Sequence, residues 1–173
     1  MKTTANKITI ARIVLIPVFL VLAYTGHIYW ALAVYTLACL SDMADGYIAR
    51  HYNQITNFGK FMDPLADKML VLSAMCFFAE NGQMPGWCVA IVLFREFAVS
   101  GLRLIAVERS RVIAAAWSGK IKTGCTMVSL GAMLIFPEIS LLNTICIILI
   151  VITTVYSGIE YFYKNRDVFS DID

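Results

Sequence analysis

Six apolar stretches constrain this chain more than any other feature, because each has about the 20 residues that a helix needs to cross a hydrocarbon core of roughly 30 Å. They run approximately over residues 8–24, 28–49, 60–79, 86–107, 112–136 and 139–162. The breaks Thr25-Gly26-His27, Asn81-Gly82-Gln83-Met84-Pro85-Gly86 and Pro137-Glu138 carry turn chemistry. None of the stretches alternates apolar and polar residues as a barrel strand does. Of the 173 residues, 60% are hydrophobic and 15% charged, against about 25% charged in an ordinary globular domain. A water-soluble enzyme, a disordered chain and a nucleic-acid binder are all excluded on that balance. The expected fold is an all-α integral membrane domain occupying residues 1–173 as one unit, a bundle of six transmembrane helices. The first stretch, which no small-residue cleavage site follows, is expected to be retained and not removed as a signal.

The basic residues orient the bundle. Lys2, Lys7 and Arg12 precede or open the first stretch. Arg50, Lys60 and Lys68 surround the second connection, and Arg95, Arg103, Arg109, Arg111, Lys120 and Lys122 the fourth. Lys164 and Arg166 follow the last stretch, which completes the 14 Lys and Arg. The other connections hold none, so the positive-inside rule places both termini in the cytoplasm. Tyr29, Trp30 and Trp87 then fall near the outer boundary as interfacial anchors. Arg95 lies deep in a span and must face the bundle interior or a wet cavity, with Glu96 as its neutralising neighbour. Cys39, Cys76, Cys88, Cys125 and Cys146 are dispersed in apolar runs without metal or disulfide spacing, and read as small buried hydrophobes.

Chemistry concentrates between the second and third stretches. Asp42 and Asp45 are three apart, Asp63 and Asp67 four apart, so each pair shares one face of a helix. A short connection folds the two helices back on each other, and four carboxylates converge near the cytoplasmic surface. Such charges repel unless neutralised. An all-oxygen donor set suits Mg²⁺ or Mn²⁺ and not zinc, and two divalent ions balance four carboxylates. Paired ions of this kind clamp a phosphoryl group. Gly46 lets a ligand approach the backbone, Ala49 keeps the same ridge low, and Arg50 can pair with a phosphate. Pro64 is expected in or near the first turn of its helix, where its missing N–H costs little.

The pattern Asp42-x2-Asp45-Gly46-x2-Ala49-Arg50-x8-Gly59-x3-Asp63-x3-Asp67 resembles the complete signature of the CDP-alcohol phosphatidyltransferases. The resemblance implies that a CDP-linked lipid donates its phosphatidyl group to an alcohol and releases CMP. It implies that Asp42, Asp45, Asp63 and Asp67 hold two divalent metals. It also implies that Asp67 takes the proton of the attacking hydroxyl, with Asp45, Gly46, Ala49, Arg50 and Gly59 at the cytidine diphosphate. A homodimer is implied on the same ground.

The acceptor is read from the second basic group. Six cations around the fourth connection exceed what orientation needs, and an acceptor that itself carries a phosphate explains the excess. Arg109 and Arg111 are assigned to topology, and Arg103, Lys120 and Lys122, with Arg95, to the acceptor. The segments Arg95–Arg103 and Gly119-Lys120-Ile121-Lys122-Thr123 resemble those of the bacterial phosphatidylglycerophosphate synthases. Asn6-x2-Thr9-x2-Arg12 is similar too, with Ala5 where a proline often stands. The resemblance implies CDP-diacylglycerol and sn-glycerol 3-phosphate as substrates, in a bacterial cytoplasmic membrane, with the active site facing the cytosol. Inositol phosphate or serine as acceptor, or a divalent-cation transporter using the same carboxylates, are the competing readings.

Overall fold

A computed structural model describes the backbone of residues 4–51, 57–108, 113–114 and 116–168, and the side chains of these except 4–9, 42–51, 57–64, 67 and 168. Six helices follow in chain order: α1 (Thr4–Tyr24), α2 (Ile28–His51), α3 (Asn57–Glu80), α4 (Gly86–Glu108), α5 (Trp117–Ile135) and α6 (Ser140–Lys164), with a short 3-10 turn at Arg166–Val168. No strand occurs among the described residues. The all-α expectation and the six elements therefore hold.

Two boundaries differ from the hydropathy reading. Helix α5 begins at Trp117 and not near Val112, because Ala116 sits in extended backbone. Helix α3 begins at Asn57, before its apolar residues do, so Pro64 lies well inside it and not in its first turn. Polarity does not stop a helix that is held by its own backbone bonds. A proline within it leaves one carbonyl of the preceding turn without its helical donor. Pro17 does the same inside α1.

Helix ends at the Gly26 and Gly82 turns are closed by backbone geometry. Gly26 (φ 79°) and Gly82 (φ 70°) take the left-handed conformation. The amide of His27 then reaches Leu22 O at 2.9 Å, and that of Gln83 reaches Phe78 O at 2.9 Å. These are Schellman closures, which satisfy carbonyls that a helix end leaves open. Gln83 Nε2 and Asn143 Nδ2 both donate to Pro137 O, at 3.2 and 3.1 Å, and tie two neighbouring turns together.

Helix α1 packs on α2 and α3, α5 on α6, α2 and α3, and α4 on α3 and α6. Small residues such as Ala23, Ala31, Ala38 and Ala74 are buried at these contacts and let the backbones approach. Phe19, Tyr35, Leu70, Met75, Phe78, Leu130 and Met133 fill the core. Tyr35 also donates to Met127 O at 3.2 Å, bonding α2 to α5.

The outside is largely apolar, and several polar side chains are buried within the apolar core. Val14, Leu37, Phe94, Val128, Ile152 and Ile159 stand exposed, while Arg12, Lys122, Thr126, Thr154 and Ser157 are buried. Among the described residues one helix, α6, is long and apolar enough by itself to cross a membrane, with shorter apolar stretches at Ile10–Tyr24 and Ile28–Ser41. Helices α4 and α5 fall short because Arg95, Glu96, Arg103, Lys120 and Lys122 lie within them. Cys88 and Cys146 are buried as expected and Cys39 and Cys125 partly so, but Cys76 is exposed on α3; none of the five forms a disulfide. Tyr29, Trp30 and Trp87 stand exposed at the starts of α2 and α4.

Candidate active site

The backbone places the four aspartate positions on two helices. Helix α2 runs unbroken through positions 42 and 45, and α3 through 63 and 67. Residues three or four apart on a helix share a face, and α2 packs against α3. An all-carboxylate set on two packed helices suits hard divalent ions. The side chains of Asp42, Asp45, Gly46, Ala49, Arg50, Gly59, Asp63 and Asp67 lie outside the described residues, as do Arg109 and Arg111.

Arg12 of α1 is 0% exposed. A guanidinium is taken from water at that depth only when it is paired. Its helix packs against both helices that carry the four aspartates. From sequence Arg12 stood as an orienting charge and as the last residue of Asn6-x2-Thr9-x2-Arg12; that short motif was the signal for its burial.

The four cations assigned to the acceptor from sequence divide into an inner and an outer pair. Lys122 of α5 is 4% exposed and donates through Nζ to Glu96 Oε1 of α4 at 2.6 Å. Arg95 donates through Nη1 to the same oxygen at 3.0 Å. Lys68 Nζ of α3 lies 3.8 Å from Glu96 Oε2 and donates to Ser100 Oγ. Two guests on one carboxylate oxygen leave positive charge unmatched by it, in a setting where water screens poorly. Gly158 leaves room for Arg95, since a Cβ there would crowd its Cγ at 3.3 Å, whereas one on Gly119 would make ordinary contact with its Nη2 at 3.5 Å.

Arg103 and Lys120 are exposed and each holds a different aromatic partner. Arg103 Nε donates to Tyr161 Oη at 2.6 Å, its guanidinium carbon lies 5.3 Å from that ring's centre, and Tyr161 Oη donates to Ala114 O at 3.3 Å. Lys120 Nζ lies 5.0 Å from the Trp117 ring centre. The structure thus joins Arg95 to Lys122 through Glu96 and keeps Arg103 and Lys120 apart from that junction. Sequence reasoning paired Glu96 with Arg95 correctly. It missed Lys68, read as an orienting charge, and it missed Tyr161 as the partner of Arg103. The signal for Lys68 was its place directly after Asp67, several residues into an apolar stretch where a lysine needs a partner.

Beside Arg95, a groove of about 640 Å³ opens between α4 and α6. Phe94, Ala98, Val155, Gly158 and Ile159 line it with Arg95 and Thr154. It opens toward the apolar outside.

The architecture and motif define a class, and the sequence of the family agrees: the model of the CDP-alcohol phosphatidyltransferases matches residues 2–156. The chain belongs to that family. It is 39% identical to the CDP-diacylglycerol--glycerol-3-phosphate 3-phosphatidyltransferase of Bacillus subtilis (strain 168), over 92% of this chain and 93% of that protein. It is 36% identical to the probable phosphatidylglycerophosphate synthase of Mycobacterium tuberculosis (strain H37Rv), over 95% and 82% respectively. The Escherichia coli (strain K12) protein that shares the first name is 36% identical over 76% of each chain.

Proposed function

We infer that this chain is a phosphatidyltransferase that moves the phosphatidyl group of CDP-diacylglycerol to sn-glycerol 3-phosphate, giving phosphatidylglycerophosphate and CMP. The observation that carries the reading is the full eight-residue aspartate signature on two packed helices, in a chain similar over nearly its whole length to relatives named for this reaction.

Asp42, Asp45, Asp63 and Asp67 would hold two divalent ions, Mg²⁺ or Mn²⁺, which would supply positive charge to offset the negative charge developing on the leaving phosphate. Asp45, Gly46, Ala49, Arg50 and Gly59 seat the cytidine diphosphate. Asp67 accepts the proton of the acceptor's hydroxyl as that oxygen attacks the phosphatidyl phosphorus. A P–O bond to the acceptor forms, the P–O bond to CMP breaks, and the proton on Asp67 passes to water. A carboxylate among cations stays ionised, ready to take the proton though a weaker base. Arg95 and Lys122 receive the acceptor's phosphate, and Arg103 and Lys120, on α4 and α5 near the fourth connection, draw the anion in.

The apolar exterior and the polar side chains buried between the helices support a bundle of six transmembrane helices in a bacterial cytoplasmic membrane, with both termini and the active site on the cytosolic side. Acyl chains enter from the bilayer while the polar substrates arrive from the cytosol. The working unit is a homodimer.

An acceptor panel tests the reading. Purified protein is given CDP-diacylglycerol and Mg²⁺ with glycerol 3-phosphate, inositol phosphate or serine in separate reactions. CMP release is expected with glycerol 3-phosphate alone and is expected to stop when a chelator is added. Turnover with serine but not glycerol 3-phosphate would overturn the acceptor. Uptake of divalent cations by vesicles lacking any lipid donor would favour transport instead.

A further inference from the structure

Glu96 does more than neutralise its neighbour Arg95. Its Oε1 accepts from Lys122 of α5 and from Arg95, and its Oε2 faces Lys68 of α3. Lys68 in turn donates to Ser100, one turn further along α4. Three helices therefore meet through charged side chains at one carboxylate. Lys68 follows Asp67 directly in α3, so the junction adjoins the helix position assigned to proton transfer.

A lysine is a point charge on a flexible four-carbon stem, and ordering that stem costs rotamer entropy when it captures an anion. A short charge-assisted hydrogen bond fixes the stem beforehand. The carboxylate also repels an incoming phosphate, so electrostatics and preorganisation pull in opposite directions at this residue. Lys122 is buried, and its Nζ lies closer to Glu96 Oε1, at 2.6 Å, than Arg95 Nη1 does at 3.0 Å. Loss of that anchor therefore displaces the charge that matters most.

We infer that Glu96 is a positioning residue: it presets Lys122 and Arg95 for the acceptor's phosphate and, through Lys68, holds them in register with the helix that carries Asp67. This rests on the glycerol 3-phosphate reading above. Glu96 touches neither substrate and acts through the cations it holds.

The test uses the full-length protein in detergent, as wild type, Glu96→Gln, Glu96→Asp, Lys122→Met and Glu96→Gln with Lys122→Met. Glu96→Gln is expected to raise KM for glycerol 3-phosphate by about ten- to a hundredfold, the scale of an ångström-sized misplacement. KM for CDP-diacylglycerol is expected to stay unchanged. Glu96→Asp, which keeps the charge on a shorter arm, is expected to fall between wild type and Glu96→Gln. The double variant is expected to fall well short of the product of the two single effects, because the lysine is already gone and only the hold on Arg95 is left to lose; independent roles would multiply. Multiplying effects, an equal rise in both Michaelis constants, or an unchanged or lowered KM for glycerol 3-phosphate would overturn the inference. Should Glu96→Gln fail to fold, Glu96→Asp combined with Lys122→Met completes the same cycle. Wild-type protein inactive with glycerol 3-phosphate but active with another acceptor removes the acceptor reading, and this inference with it.

Discussion

Lys120 and Lys122 share a five-residue segment and, in the sequence, an equal claim on the acceptor's phosphate. Two residues apart on a helix they are about 200° apart around its axis, and the structure turns Lys122 inward to Glu96 while Lys120 lies exposed over Trp117. Lys122→Met is therefore expected to raise KM for glycerol 3-phosphate by about tenfold or more, the loss of one charge-assisted contact of about 1.5–3 kcal/mol. Lys120→Met is expected to change it by less than about threefold and to shift mainly the salt dependence of the rate, as an exposed charge that steers rather than binds. Steady-state kinetics at two ionic strengths separate the two, and equal effects would remove the distinction between inner and outer pair. The helical backbone under the aspartate positions was legible, because spacings of three and four suit a shared helix face. The basic residues were not, because α5 is apolar on several sides and its sequence does not say which neighbour each side meets.

Helix ends were read from turn residues, and that succeeded where backbone conformation decided the matter. Gly26 and Gly82 stand at positive φ and close α1 and α3 with the bonds a Schellman turn requires. Nothing lies within 4 Å of a Cβ built on Gly82, so its glycine is required by conformation and not by crowding. Gly82→Ala is expected to destabilise the protein by about 1–2 kcal/mol, the cost of a side chain in left-handed backbone. Thermal unfolding in detergent measures it. No change would mean that the turn relaxes freely, whereas Gly86→Ala, free of any positive φ, serves as the neutral comparison. The reading failed where apolarity was used to place a helix start. Residues 57–59 and Ala116 show why: a helix continues into polar surroundings as long as its backbone bonds close, and an apolar residue in extended backbone does not begin one. Pro64 was misplaced by the same error.

At the scale of the whole molecule, the distribution of polarity argues for a lipid environment more strongly than any one helix does. On α6, Ile152 is 60% exposed while Thr154 and Ser157 are 0% exposed. In water that arrangement wastes the hydrophobic effect, because apolar surface stays wet and hydroxyls are desolvated. In hydrocarbon it is what packing demands, since small and polar residues associate helices and apolar ones meet the acyl chains. The two environments give opposite forecasts for Ile152→Lys. At an exposed site of a water-soluble protein the change falls within about 0.5 kcal/mol of neutral. Near the middle of a membrane helix it costs about 2.5–3.5 kcal/mol. The expected outcome is a marked fall in membrane-inserted protein and a lowered unfolding midpoint in lipid bilayers, with Glu138→Lys, at a connection between helices, changing neither. Wild-type stability of Ile152→Lys in the bilayer would place α6 out of contact with lipid, and the acyl chains of the donor would then need another way to reach the aspartates.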